Sequence, residues 1–248
     1  MPRTYKTLPR LYVEAPLATG AEIALDPDQF NHAVNVLRLH EGDQLVLFNG
    51  RDGAWRAELS GVGKKKATAI ARDLAAEQTP AADLWYGFAP LKVGRLDYLV
   101  QKATEMGAGT IQPVITRYTQ GRVRPDKIAA WSLEAAQQCE VLTLPAIADE
   151  IDLPALIRGW QQTHGDRRLV FADESSSSTS PSETLAALRG QRIGLIIGPE
   201  GGFAPEEREL LLAQPFVVPI SLGPRILRAD TAAVAALAVI QATIGDWR

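Results

Sequence analysis

The chain has 248 residues, 46% hydrophobic and 22% charged, with a net charge of −3. This is ordinary globular composition, long enough for one or two domains with real cores, and it argues against a nucleic-acid coat protein. Cys139 is the single cysteine, which excludes an internal disulfide, and with three histidines it is poor material for a zinc site. No metal is therefore expected. No run of about eighteen apolar residues occurs, so no membrane span is expected. The opening MPRTYKTLPRLYVEAP has charges and prolines but lacks the apolar stretch of a secretory signal. A reducing cytoplasm is the expected compartment.

In chain order, the first seventy residues read as short strands with one helix. RLYVEAP is a strand. DPDQFNHAVNVLRL is a helix capped by Asp26 or Asp28, with Phe30, Val34 and Leu37 at helical spacing. Leu37 and Leu39 should pack while Arg38 faces outward. DQLVLFNG ends in the turn signal Asn49-Gly50, and AWRAELSGV and KATAIARDLA alternate. Short strands joined by hairpins predict a small β-barrel over residues 1–75. EQTPAAD, Glu77 to Asp83, reads as a linker.

Beyond it the period changes. LWYGFAPL, TIQPVIT, RRLVFADE, RIGLIIG and FVVPISLG are strands. GRLDYLVQKATEMG, RPDKIAAWSLEAAQQC, LPALIRGWQQ, SPSETLAALRG, APEERELLLAQ and DTAAVAALAVIQATIG are helices. The alternation predicts an α/β domain over residues 76–248 with a mostly parallel sheet. The run Ser175 to Ser180 reads as a solvated connection. Lys102 and Glu105 have the spacing of a local ion pair.

Two strands run into bare Gly-Pro turns, IIGPEGG and SLGPR, within about thirty residues. Such turns let a ligand approach the backbone, and in open α/β sheets ligands sit beyond the carboxyl ends of strands. Neither turn has the Gly-Lys-Ser/Thr ending of a P-loop, and Glu200 would repel a phosphate. A ligand with an adenine, ribose hydroxyls and a positive centre suits them better.

LIIGPEGGFAPEE together with VPISLGPRILRADTAAVAAL closely resembles the paired signatures of the RsmE family of 16S ribosomal RNA uridine methyltransferases, of the SPOUT class. The resemblance spans the chain. NHAVNVLRLHEGDQLVLFNG resembles the family's PUA-like barrel, APLKVGRLDYLVQKATEMGAGTIQPVITRYTQ the opening of its methyltransferase domain, and EAAQQC the helix that follows. It implies a C-terminal trefoil knot, a homodimer, and a bound S-adenosylmethionine. The pocket it implies comprises Phe171 and Ala172 of the strand end Phe171 to Glu174. It continues through Ile197, Gly198, Pro199, Glu200, Gly201 and Gly202, then Ile220, Ser221, Leu222, Gly223, Ile226 and Leu227. The implied reaction is methyl transfer to N3 of a uridine in the decoding region of 16S rRNA.

That proton on N3 must leave, and a guanidinium stabilises the resulting anion because it stays charged and bonds planar edges in pairs. Arg225 and Arg228 flank the second turn and are the candidates. Glu200 or Asp230 is the candidate proton acceptor, provided burial raises its pKa. The structural alternatives are an ion pair of Arg228 with Asp230 or Glu200, a helix cap by Asp230, and a cap by Glu200 for APEEREL.

Residues 1–72 carry ten Lys and Arg against eight Asp and Glu, a local +2. RNA contacts are expected from Arg3, Arg10, Arg38, Arg51 and Arg56, with Lys64 to Lys66 either a further contact or a solvated hairpin tip. Two departures from the family pattern stand out. Glu140 and Val141 occupy the places of its usual Gly-Arg, where Arg117 or Arg122 is a possible substitute. Asp230 replaces its usual glutamate. The competing readings are a SPOUT enzyme for another RNA or base position, and a non-catalytic RNA-binding assembly factor.

Overall fold

The computed structural model describes residues 5–91, 95–174 and 180–247. Arg3 and most of the serine run Ser175 to Ser180 lie outside the described residues. The chain divides into two units. The first takes the chain through Ala81 and adds Leu133–Leu144; the second holds Ala82–Ser132 and the chain from Pro145 onward.

The first unit contains β1 (Arg10–Tyr12), β2 (Glu22–Ala24), β3 (Gln44–Phe48), β4 (Ala54–Ser60) and β5 (Thr68–Ala76) in the sheet order β1-β3-β4-β5-β2. All pairings are antiparallel except β1 with β3. Register shifts at Ala54/Trp55 and Arg56/Ala57 mark bulges between β4 and β5, the device that bends a small sheet. β3 is buried on both faces. Leu45 and Leu47 enter a core with Leu11, Ile23, Phe30 and Leu59, whereas Val46 and Phe48 pack with Leu8, Ala136 and Leu142. The segment 133–144 thus covers the second face of this sheet.

The helix expected at Asp26 starts as α1 (Pro27–Phe30), with Asp26 and Gln29 capping each other at 2.8 and 3.0 Å. It then widens into a π-helical turn over Asn31–Val36, closed by Leu37 N–H donating to the His32 carbonyl at 2.9 Å. The wider turn advances the residues that follow. Phe30 and Leu39 are buried, but Leu37 turns outward, contrary to its expected packing, and Arg38 adopts φ 56°.

The second unit is a parallel sheet. Its strands are β6 (Leu84–Phe88), β7 (Ala108–Ile115), β8 (Ala146–Ile147), β9 (Ile151–Asp152), β10 (Arg168–Ala172), β11 (Ile193–Ile197) and β12 (Val217–Ile220). The order is β12-β10-β11-β6-β7-β8, with β9 also on β7. Alternate side chains feed two cores. Tyr86, Phe88, Leu195 and Ile197 meet α2 (Leu96–Glu105), α5 (Pro181–Ala186) and α7 (Ala229–Thr243). Trp85, Phe171 and Ile196 meet α4 (Leu153–His164) and α6 (Pro205–Leu212). α3 (Pro125–Gln138) runs across the division between the units. The alanine-rich α7 buries Ala233, Ala236, Leu237 and Ile240 in the first of these cores. Lys102 and Glu105 on α2 form the expected pair, at 2.6 Å.

The supposed linker ends in an anchor. Asp83 pairs with Arg192 at 2.9 Å and with Arg167 at 2.5 Å, and buried Arg167 also donates to the Ile193 carbonyl at 2.8 Å. Both arginines hold the Asp83 carboxyl below its ordinary range, Arg192 most strongly. The same two cations disfavour the charged form of His164, which packs against Trp160 at a ring distance of 4.2 Å. Burial first, then the two guanidiniums, push the His164 imidazole down to about 4.

His164 is thus neutral in the folded protein at pH values where an unfolded chain, with an ordinary imidazole near 6.5, begins to take up a proton. Its contribution is complete above about 6.5 and is lost as pH falls towards about 4. Urea unfolding should therefore show about 1–2 kcal/mol less stability at pH 4.5 than at pH 7, allowing for solvent screening of the half-exposed ring. His164→Gln should flatten that slope. Any loss due to Asp83 comes later, below about 3.8, as pH falls through its depressed value.

Candidate functional site

Strands β12, β10 and β11 are adjacent and parallel, with Ala172 opposite Ile220 and Phe171 opposite Ile196. Their carboxyl ends therefore open side by side. A cleft open to solvent lies beyond them. Its apolar walls are Phe171, Ala172, Ile197, Phe203, Leu222, Ile226 and Leu227; its polar rim holds Asp173, Glu174, Glu200, Arg208 and Arg225. Gly198, Pro199, Gly202, Gly223, Ala229 and Ala232 complete the lining.

The two turns reach this cleft by different means. Gly202 N–H donates to the Pro199 carbonyl at 2.9 Å, closing a four-residue turn that leaves Gly202 at φ +70°. Gly223 stands at φ +104°. Both positions disfavour a side chain. Gly198 is required for another reason: a Cβ there would lie 2.8 Å from the Phe203 ring. That ring packs edge-on to Phe171 at 5.2 Å, so Gly198 lets an aromatic pair form one wall.

An ion pair that sequence reading missed braces the site. Asp173 is buried and accepts from Arg208 Nε at 3.0 Å and Nη2 at 2.8 Å, while its own N–H donates to the Ile220 carbonyl at 3.0 Å. The carboxylate beside it raises the Arg208 pKa. The available signal was an acidic residue at a strand end and an arginine on a polar helix, too common a pairing to single out.

The sequence-derived pocket residues are mostly gathered, with exceptions. Ile220 is fully buried in the sheet and Ser221 and Gly201 lie off the lining; Gly201 instead stacks near Tyr118. The two candidate arginines part company. Arg225 faces the main cleft, whereas Arg228 lines an adjoining one with Leu91, Arg95, Glu200, Ala229 and Asp230. Asp230 neither caps α7 nor pairs with Arg228: it sits in the first turn and binds Arg95. Nor does Glu200 cap α6. Glu207 does so, accepting from Ala204 N–H at 2.9 Å and from Arg117 N–H at 2.8 Å.

On the first unit Arg10 is a correction. It is buried with its guanidinium over the Phe48 ring at 4.8 Å, and desolvation lowers its pKa against an opposing pull from Glu140. It has no surface to offer RNA. Arg51 donates to the Glu14 carbonyl at 2.5 Å and Arg56 to Asp73 at 2.8 Å, both remaining about half exposed. Arg38 is exposed, and Lys64 to Lys66 form the exposed tip between β4 and β5. Among the described residues no helix is long and apolar enough to cross a membrane, and no three His, Cys, Asp or Glu gather as metal ligands.

A family model described as an RNA methyltransferase domain matches residues 77–241, and one described as an RNA methyltransferase PUA domain matches residues 25–71. Ribosomal RNA small subunit methyltransferase E of Rickettsia conorii is 33% identical over 94% of this chain and 94% of its own. The chain belongs to the RsmE family. The Bacillus subtilis member is 30% identical over 86% of this chain and 87% of its own. Among solved structures, the RsmE of Neisseria gonorrhoeae bound to S-adenosyl methionine matches with a TM-score of 0.79, at 26% identity over 97% of this chain and all of that one. A putative methyltransferase from Legionella pneumophila, in complex with the bound cofactor SAM, matches with a TM-score of 0.80, at 30% identity over 95% and 97%.

The departures from the RsmE pattern have local explanations. Glu140 stands at φ 59°, a conformation natural to the family's usual glycine, and its charge acts on buried Arg10. Val141 packs against the cluster of Leu8, Val46 and Phe48, exchanging a cation for core contact.

Replacing Gly198 with alanine should cost about 1–3 kcal/mol by driving a methyl into Phe203. The Gly198→Ala/Phe203→Ala double variant should cost less than the two single losses summed. Thermal unfolding of the four proteins measures this coupling.

Proposed function

We propose that this protein transfers a methyl group from S-adenosylmethionine to N3 of a uridine in the decoding region of 16S rRNA, and that it does so in the cytoplasm as a homodimer without a metal. The reading is carried chiefly by a glycine-turned, apolar cleft that adjoins a second cleft containing guanidiniums, in a chain of the RsmE family.

The main cleft fits the cofactor chemically. Phe171, Ile197 and Leu222 offer an apolar slot for an adenine, and the bare backbone at Gly202 and Gly223 offers C=O groups to its edge. Glu174 and Glu200 suit the positive centres, and Arg225 suits the carboxylate. When bound there, S-adenosylmethionine supplies a methyl on a sulfonium, already activated for transfer.

The protein's task is then alignment and charge control. Pro199 and Gly202 shape the turn that carries Glu200 between the two clefts. Arg228 stabilises negative charge on the O2–N3–O4 edge as the N3 proton leaves. Glu200, exposed on the turn between the two clefts rather than buried as the sequence reading required, is the carboxylate candidate to take that proton. Arg38 and Lys64 to Lys66 provide exposed positive charge for phosphates, which position an RNA without reading its sequence. Ile226, 85% exposed, and Trp247, 53% exposed, provide apolar surface for a second copy to cover.

Calorimetric titration with S-adenosylmethionine, with ATP and NAD as controls, should show selective binding. Methyl transfer to small-subunit RNA should follow, at N3 of one uridine. Arg228→Ala should lower kcat by about 100-fold, the scale of losing one oxyanion-type donor, with little change in cofactor affinity. Absence of selective binding to the folded protein would overturn the reading.

A further inference from the structure

The second cleft has more structure than one arginine requires. It is open to solvent and meets the cofactor cleft at Glu200 and Ala229. Buried Leu91 and Ala229 form an apolar floor. Around it stand four charged groups from three places in the fold: Arg95 at the start of α2, Glu200 on the first turn, and Arg228 and Asp230 at the start of α7.

Asp230 is the most constrained. Its side chain is 11% exposed, one oxygen accepts from Arg95 Nη1, and the other accepts from Thr231 N–H at 3.0 Å. The helix N-terminus adds favourable potential. Burying a carboxylate so deeply is costly unless it is paired. Its partner, in contrast, keeps 46% of its side chain exposed. Asp230 is therefore the fixed member, and Arg95 is the guanidinium it holds at the mouth of the cleft.

We propose that this second cleft receives the acceptor pyrimidine with its imide edge facing Arg95, and that Asp230 is the positioning residue that sets the angle of that guanidinium. The proposal rests on the reading of the neighbouring cleft as the cofactor pocket. A guanidinium is planar and only donates, so it matches the O4 acceptor, which carries part of the charge of the deprotonated imide, and leaves the N3 lone pair free for the methyl. Cytosine presents an amino donor in place of O4, which meets the same guanidinium donor to donor. Arg95 thereby favours uracil over cytosine as well as the anion over the neutral base.

In the transfer step the N3–H bond breaks, its proton passes to Glu200 and its electron pair stays on nitrogen. That pair forms the new N–C bond to the methyl carbon as the C–S bond breaks, its pair remaining on sulfur. Arg95 and Arg228 face the charge that appears on the imide, and Asp230 faces Arg95.

The test is single-turnover methylation of small-subunit RNA by Arg95→Ala, Arg95→Lys, Asp230→Asn and Asp230→Glu, with S-adenosylmethionine titrated calorimetrically into each. Arg95→Ala should lose about 100-fold or more in rate while cofactor affinity stays within about twofold. Arg95→Lys should remain at least about tenfold slow, because an ammonium lacks the fork. Asp230→Asn should lose about tenfold and, by removing the anion beside the site, move the rising limb of the pH–rate profile to lower pH, a change that a merely structural role would not produce. Asp230→Glu should recover most of the rate, since it restores the carboxylate. If Arg95→Ala loses its unfolding transition, the Asp230 pair and its pH profile carry the test. Wild-type rates in Arg95→Ala and Asp230→Asn, or cofactor affinity falling in step with rate, would overturn the proposal. Failure of the wild-type protein to bind S-adenosylmethionine would remove the cofactor reading beneath it, and shows before any variant is made.

Discussion

Parallel pairing of β12, β10 and β11 sets the position of nearly everything the site uses. Parallel strands buried on both faces must be covered by helices, and their carboxyl ends then emerge together at one edge. In this protein the register brings Ala172 beside Ile220 and leaves Asp173 just beyond the sheet, its N–H still paired to the Ile220 carbonyl. From there the side chain reaches Arg208 on α6. One strand end is thereby tied to a helix that follows the Gly198–Gly202 turn. The turn is held at both ends, by β11 before it and by this ion pair after it. A cleft so framed can present backbone groups in fixed directions, which is what recognition of a nucleoside edge needs.

The electrostatic arrangement divides cleanly. Around the main cleft the buried charge is Asp173, neutralised by its own arginine. Around the second, the buried charge is Asp230, neutralised by Arg95. Each carboxylate is sunk and each arginine is partly in solvent, so each pair presents a cation outward while its anion remains inside. The acidic overall composition conceals this, because a net charge of −3 says nothing about which members of each pair face a ligand.

Much of the fold was legible because its signals are local. Alternating strands and helices from Leu84 onward, each bounded by glycine, proline or a capping residue, correspond closely to the observed elements. The Gly-Pro turns were legible because bare backbone is visible in sequence. What escaped depends on distance along the chain. β2, β8 and β9 have two or three residues each, too few to show a period. The π-helical turn that exposes Leu37 changes a helical register without changing composition. Arg95 and Asp230 are 135 positions apart, and no spacing rule joins them. Arg10 misled because arginines are usually at surfaces; here the aromatic face of Phe48 and the charge of Glu140 accommodate it inside. Gly198 was read as room for a ligand, and part of that room belongs to Phe203.

The first unit is not contiguous in sequence. Val46 and Phe48, on the second face of β3, pack with Leu8 and Tyr12 close by in sequence and complete their cover with Ala136 and Leu142, some ninety residues later. A chain emerging from the ribosome therefore presents β3 with one finished core and one apolar face still incompletely covered. At about 5–20 residues per second, the stretch from Ala81 to Leu144 takes roughly 3–13 s to synthesise. During that interval the N-terminal sheet must stay soluble with part of its packing outstanding. Truncation after the last strand of the sheet would make that interval permanent. Autonomy of the N-terminal sheet thus depends on a segment, 133–144, encoded between two stretches of the other unit.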